Sequence, residues 1–222
     1  MNMKATLSAT ALALTLATSA HAATIALTDA SLEAPLSGTN GDPLSGWWSF
    51  NSGAVGQAIT VSSGFWTIAN NDGDKAMYIA NDASGIDSVY QSVTLEAGIT
   101  YRLTAAVAQS ANVSKNDANV ALAFFNQGFS VLEAQNNFVV ANQSGSFVDY
   151  FVEFTPDTTG IYQVGLRNAG AIIGTGTSSS ANGESTVFFD NVRLESLNAV
   201  PEPSSTALLG LGSLALILRR RK

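Results

Sequence analysis

Apolar and polar positions alternate through most of the middle of the chain, and no segment there shows a convincing helical period. Over residues 100–109, Tyr101, Leu103, Ala105 and Val107 fall on one face of a strand. Val120, Leu122 and Phe124 do the same over 120–125, and Val148, Tyr150, Val152 and Phe154 over 147–155. Tyr162, Val164 and Leu166 line a further strand, and a last one runs from about 186 to 194. Shorter strands are predicted at 47–50, 58–61, 65–68, 76–80 and 89–95. Turn chemistry separates them: Asn70-Asn71-Asp72-Gly73-Asp74 reads as a tight turn, Glu96-Ala97-Gly98 closes a strand, and Pro156 opens a turn ending at Gly160. A glycine-, threonine- and serine-rich stretch over 168–183 reads as one long surface loop. The pattern predicts one all-β domain over 23–199, a two-sheet antiparallel sandwich or jelly roll.

The two ends depart from this pattern. Lys4, then an apolar and small-residue run from Leu7 to Ala17, then Ala20-His21-Ala22, reads as a signal helix over 1–22 cleaved between Ala22 and Ala23. At the other end Val200-Pro201-Glu202-Pro203 precedes an apolar run and a basic stop of Arg219, Arg220, Arg221 and Lys222. As a helix, residues 206–218 span only about 20 Å, against roughly 30 Å for a hydrocarbon core. The short apolar helix therefore suits a temporary anchor better than a permanent one, with its basic tail on the cytoplasmic side.

This terminus, residues 200–222, resembles the PEP-CTERM sorting signal of Gram-negative bacteria. The resemblance implies export, recognition and cleavage by an exosortase, transient anchoring in the inner membrane, and release or attachment at the cell surface or in the extracellular matrix, often among exopolysaccharide.

Composition narrows the chemistry of what lies between. From 23 to 200 there are five basic and sixteen acidic residues, a net charge of −11. Such a domain repels phosphate backbones, so nucleic acid is not an expected partner. The chain has no cysteine, and its single histidine, His21, lies in the signal segment. Thiol chemistry, histidine-assisted hydrolysis and the usual zinc ligand sets are thereby unavailable after cleavage. A glycosidase would need two carboxylates at a set separation, but with this many acids some such pair is inevitable. Neither a nucleophile elbow nor a phosphate-binding glycine loop is present. The expectation is a domain that is not an enzyme.

Several segments also resemble the galactose-binding-like jelly roll of many carbohydrate-binding modules. They are residues 31–35, Gly46-Trp47, Ala76-Met77-Tyr78-Ile79, residues 91–103 and residues 187–194. In similar jelly rolls an aspartate of the last strand and a glutamate near the first hold a structural calcium; here these positions are Asp190 and Glu33. Period-two counting back from Val192 and Leu194 puts Phe188 and Asp190 on the inner face, where a carboxylate must be paired or neutralised. The alternative is Asp190 accepting backbone N–H bonds, or pairing with an arginine, without metal. Asp72-Gly73-Asp74 lacks the order of an EF-hand loop and reads as an ordinary turn.

Trp47 and Trp48 are adjacent, so on a strand they point to opposite sides and one belongs to the core. Trp48 and Trp66 are the candidates for stacking on sugar rings, and Tyr78 and Tyr90 share the ambiguity between packing and binding. The functional expectation is an exported surface or matrix protein with a non-catalytic, glycan-binding domain, polysaccharide being its partner. The alternatives are a purely structural or adhesive matrix component and, third, a carbohydrate-active enzyme.

Overall fold

The computed structural model describes residues 22–33, 46–50, 54–59, 71–81, 86–110, 116–142, 144–171 and 185–197. The expected signal helix, Trp66, the predicted strand at 65–68 and the whole sorting segment lie outside these residues. Among the described residues there is no helix, and none long and apolar enough to cross a membrane.

Eleven strands occur among the described residues: β1 (Ala23–Ile25), β2 (Trp48–Phe50), β3 (Ala54–Ile59), β4 (Lys75–Asn81), β5 (Asp87–Leu95), β6 (Tyr101–Ala108), β7 (Ala118–Asn126), β8 (Leu132–Val140), β9 (Val148–Phe154), β10 (Gly160–Ala171) and β11 (Ser185–Ser196). They form two antiparallel sheets. One runs β3-β4-β11-β6-β9, with β1 also pairing β11; the other runs β2-β5-β10-β7-β8. The domain is the predicted all-β jelly-roll sandwich.

The alternating positions explain the core. Tyr101, Leu103, Ala105 and Val107 of β6 meet Val120, Leu122 and Phe124 of β7 and Val164 and Leu166 of β10 in one buried cluster. Burying each such large side chain contributes about 1.5–3 kcal/mol. Trp47 joins them fully buried, its indole N–H donating to the Asp29 carbonyl at 3.3 Å. The two sheets are also tied by polar groups. Asn168 of β10, fully buried, donates to the carbonyls of Ile79 and Ser185 at 2.9 and 3.1 Å and accepts from the Ser185 hydroxyl at 2.9 Å. Asn81 completes the clamp by donating to the Asn168 carbonyl at 3.0 Å.

β11 corrects one expectation. Its register to β6 shifts between Asp190 and Arg193, so that Asn191 and Val192 together oppose Ala105, and Asn191 takes a left-handed φ of 45°. This bulge adds one residue to the count. Val187 and Phe189 then face the core with Val192 and Leu194, while Phe188 packs with Ala76 and Ala108 in a cluster outside the main core. Asp190 shares the face of Phe188: it is on the outer side of its sheet, not the inner.

Candidate functional site

The outer face of the β2-β5-β10-β7-β8 sheet carries a cluster of aromatic side chains. One row of paired positions crosses it: Trp48 opposite Tyr90, Tyr90 opposite Gly165, Gly165 opposite Ala123, and Ala123 opposite Gln135. Gly165 is required because the Tyr90 ring lies down over it; a Cβ there would stand 2.6 Å from the Tyr90 Cε1. The small side of the row lets Tyr90 reach Phe125, at 5.5 Å between centroids and nearly edge-on. Trp48 lies 5.4 Å from Tyr90 on the other side.

Phe129 closes the group from the turn between β7 and β8. It sits 4.7 Å from Trp48 and 4.8 Å from Tyr90, edge-on to both. Its φ of 55° is left-handed, which costs a bulky residue roughly 1 kcal/mol or more. Asn126 holds it there: its carbonyl accepts the Phe129 N–H at 3.0 Å, and its side chain bonds the Val131 N–H and the Ser130 hydroxyl at 3.2 and 2.8 Å. Tyr90 and Phe125 are nearly buried, while Trp48 and Phe129 remain half-buried. Polar groups flank the cluster. Gln163 accepts from Ser92 at 3.0 Å on one side. On the other, Arg167 stands 5.2 Å over the Phe125 ring and donates to Gln135.

The second place of interest is a gap along β11. On one edge β4 pairs it only as far as Phe189, and β1 only from Leu194. Between them the loops 28–33 and 71–75 fill in, with Val192 N–H donating to the Ala30 carbonyl at 2.8 Å. A cavity of about 490 Å³ opens here, lined by residues of β1, the following loop, Asp72 and the bulge. Asp190 is fully buried at its edge. Its Oδ2 accepts the Asp72 N–H at 2.9 Å and its Oδ1 the Asn191 N–H at 2.7 Å. Burial pushes the carboxyl up to about 6, against the amide bonds that pull it down, and the nearby Asp72 carboxylate pushes the same way as burial.

Glu33 reaches the same loop at the next residues. Its Oε1 accepts the Lys75 N–H at 2.9 Å, its carbonyl accepts the Lys75 ammonium at 2.8 Å, and its carboxylate occupies the space a side chain at Gly73 would need. Glu33 and Asp190 thus grip one loop, and Asp190 accepts backbone N–H bonds as the metal-free alternative requires. Among the described residues no three acidic or imidazole side chains group as a metal site. The side-chain donors at hand, the Glu33 and Asp190 carboxylates, are both oxygen, and burial is what disfavours the Asp190 charge. Carboxylate oxygen is the ligand type calcium takes, but two such groups are short of the six to eight oxygens it needs.

Of the tryptophans, Trp47 is the core member of the pair and Trp48 the outward one. Tyr90 belongs to the same outward cluster; Tyr78 packs against Phe188 on the other sheet. Phe125, Phe129, Gly165, Arg167 and Gln135 were not singled out by sequence. The Phe124-Phe125 pair carried a usable signal, since adjacent strand residues point apart and Phe124 is assigned inward.

Comparison with known proteins follows this division. A family model, HpiC1-like (HpiC1 cyclase), matches residues 23–195, and the model of the PEP-CTERM protein-sorting motif matches 199–222. The sorting motif marks an exported, cell-surface-associated protein. No curated protein matches the chain. Among solved structures, the Stig cyclase FisC of Fischerella sp. TAU, in complex with (3Z)-3-(1-methyl-2-pyrrolidinylidene)-3H-indole, superposes with a TM-score of 0.61 at 20% identity, covering 81% of this chain and 100% of that one. An arabinose-bound GH51 α-L-arabinofuranosidase gives 0.55 at 11% identity, covering 77% of this chain and 26% of that one. The CBM22-1 xylan-binding domain of Paenibacillus barcinonensis Xyn10C gives 0.50 at 9% identity, covering 72% and 92%. At these identities the likeness is one of fold.

Proposed function

The chain belongs to the HpiC1-like family, HpiC1 cyclase, over residues 23–195, and from that premise we propose that its outward aromatic cluster binds a glycan at the cell surface and catalyses no reaction on it. The observation that carries this reading is Trp48, half-buried on an aromatic floor of Tyr90, Phe125 and Phe129 with hydrogen-bonding side chains on both flanks. A sugar presents an apolar C–H face to such rings and hydroxyls to such flanks. The fold neighbours include a domain described as xylan-binding and an enzyme described as arabinose-bound, which agrees with this reading.

Among the described residues the cluster and its flanks consist of Trp, Tyr, Phe, Gln, Ser and Arg, with neither carboxyl nor imidazole among them. Such a set gives general acid–base chemistry little to work with. Binding by stacking needs no such group. Export follows from the sorting motif; in this reading an exosortase then removes the tail at Val200-Pro201-Glu202-Pro203, after transient membrane insertion. Calcium, held by Glu33 and Asp190, would neutralise buried charge and fix loop 71–75; it has no part in binding the ligand.

Retention of the exported protein on immobilised polysaccharide tests the proposal. Wild-type protein is held and eluted by free oligosaccharide, whereas Trp48→Ala passes through while keeping its thermal transition. Equal retention of both proteins would place the binding surface elsewhere. The family match favours a second reading, in which the aromatic cluster receives a planar indole-type ligand against Trp48 and Tyr90 assists ring closure. Appearance of a ring-closed isomer on incubation with an indole-bearing substrate, lost in Tyr90→Phe, would replace the first reading with the second.

A further inference from the structure

We propose that the glycan bound on this face carries carboxylates, and that Arg167 is the residue that recognises them; the inference rests on the glycan-binding reading above. The argument starts from charge. Between 23 and 200 the chain has sixteen acidic residues and three arginines. Arg102 pairs with Glu153, and Arg193 with Asp149, each at 2.5 Å. Arg167, in the same acid-rich domain, has no acidic residue within ion-pair distance among the described residues. A cation kept apart from abundant carboxylates, partly buried on a candidate binding face, is a group whose partner comes from outside.

Its surroundings fix how that partner would approach. The guanidinium is held over Phe125 at 5.2 Å, and Nη1 donates to Gln135, whose own amide donates to Asn137 at 2.5 Å. One side of the fork is thus anchored to β8. The Nε hydrogen is buried and has no acceptor in the protein, and Nη2 beside it takes no hydrogen bond among the described residues. A buried donor left unmade costs about 1–3 kcal/mol. The Nε–Nη2 edge is the side of the fork whose parallel N–H groups match the two oxygens of a carboxylate. A uronate ring stacked on Trp48, with Phe129 standing edge-on beside it, would turn its carboxylate toward this edge across Tyr90 and Gly165, with a small rearrangement to uncover Nε. The domain's net charge of −11 disfavours a densely charged polymer at a distance. A mostly neutral glycan with isolated carboxylates fits better.

The test is an array of paired probes, each uronate-bearing oligosaccharide beside its carboxyl-reduced form, read with the exported protein. The expected result is preference for the acidic member by about tenfold or more, in line with a charge-assisted bidentate contact. Arg167→Gln should abolish the preference, the acidic and the carboxyl-reduced member of each pair then binding alike. Arg167→Lys, which keeps the charge but not the fork, should recover part of the preference. Equal binding of both members by the wild type overturns this inference and leaves the glycan reading standing. Binding to no member overturns both. Should Arg167→Gln fail to fold, Gln135→Ala frees Nη1 without removing the charge, and an unchanged selectivity in the Arg167→Lys protein would again sink the proposal.

Discussion

The ring of Tyr90 rests on Gly165, the residue paired opposite it on the neighbouring strand, and the space above that backbone exists only because the residue has no side chain. Gly165→Ala would put a methyl group 2.6 and 2.8 Å from two ring atoms of Tyr90. The ring must lift, and with it the contacts to Trp48, Phe125 and Phe129. Overpacking of this kind costs roughly 1–3 kcal/mol. The expected outcome is a lower denaturation midpoint and a loss of glycan retention larger than the loss of stability explains. Chemical denaturation followed by tryptophan fluorescence, set beside the retention assay, separates the two effects.

How much of this arrangement was legible in the sequence depends on whether the cause is local. Side-chain alternation located most of the strands, because one-sided burial imposes period two on β6, β7, β9 and β10. β8 was missed since its sequence, Leu-Glu-Ala-Gln-Asn-Asn-Phe-Val-Val, is mostly exposed at a sheet edge and carries little apolar signal. β1 is three residues held by pairing with the far end of the domain, a purely non-local cause. β10 runs on to Ala171, into the stretch expected to be loop, because Asn168 finds buried partners that no local rule reveals. The same limit misplaced Asp190: a single bulge at Asn191 reverses the face of everything before it. Trp48 could be named as an outward candidate from its neighbour Trp47. Arg167 could not, since its importance lies in having no acidic partner among the described residues.

Phe129 supplies a test of preorganisation. Its left-handed backbone is maintained by Asn126, which bonds four groups of the turn. Asn126→Ala removes the side-chain half of that support, so the ring should leave Trp48 and Tyr90 for part of the time. We expect weaker glycan retention by about threefold to tenfold, with stability reduced by roughly 1 kcal/mol. Near-ultraviolet circular dichroism should register the loosened aromatic contacts. An unchanged spectrum with full retention would show that the turn holds its shape without Asn126.

The Asn168 clamp makes a prediction about stability alone. Asn168→Ala leaves the carbonyls of Ile79 and Ser185 and the Ser185 hydroxyl without their donors and acceptor, all in a buried junction between sheets. Orphaned buried polar groups cost about 1–3 kcal/mol each when no water reaches them. Asn168→Ala should therefore lose several kcal/mol, while Asn168→Asp, which keeps one acceptor but removes both donated bonds and adds a buried charge, should lose at least as much. Urea denaturation of both variants checks the order.

Asp190 makes the pH dependence of the metal-free protein calculable in sign. Its carboxyl is at about 6 in the folded chain against 3.8 for an unperturbed aspartate. The folded state therefore holds the proton more tightly than the unfolded one between these values. The contribution to stability is complete below about 3.8, falls as pH rises through about 6, and is flat above. Its size is at most about 3 kcal/mol, and less to the extent that loop 71–75 admits water. With a chelator present, thermal midpoints measured from pH 4.5 to 8 should include this decline, and Asp190→Asn should lack it. Calcium acts in the opposite direction: it favours the ionised carboxylate, so at pH 7.5 it should raise the midpoint of the wild type, less so that of Glu33→Gln, and not that of Asp190→Asn. A wild-type midpoint indifferent to millimolar calcium would leave Glu33 and Asp190 as acceptors for the backbone of loop 71–75 and nothing more, because a cation that neutralises a buried carboxylate cannot bind there without stabilising the fold.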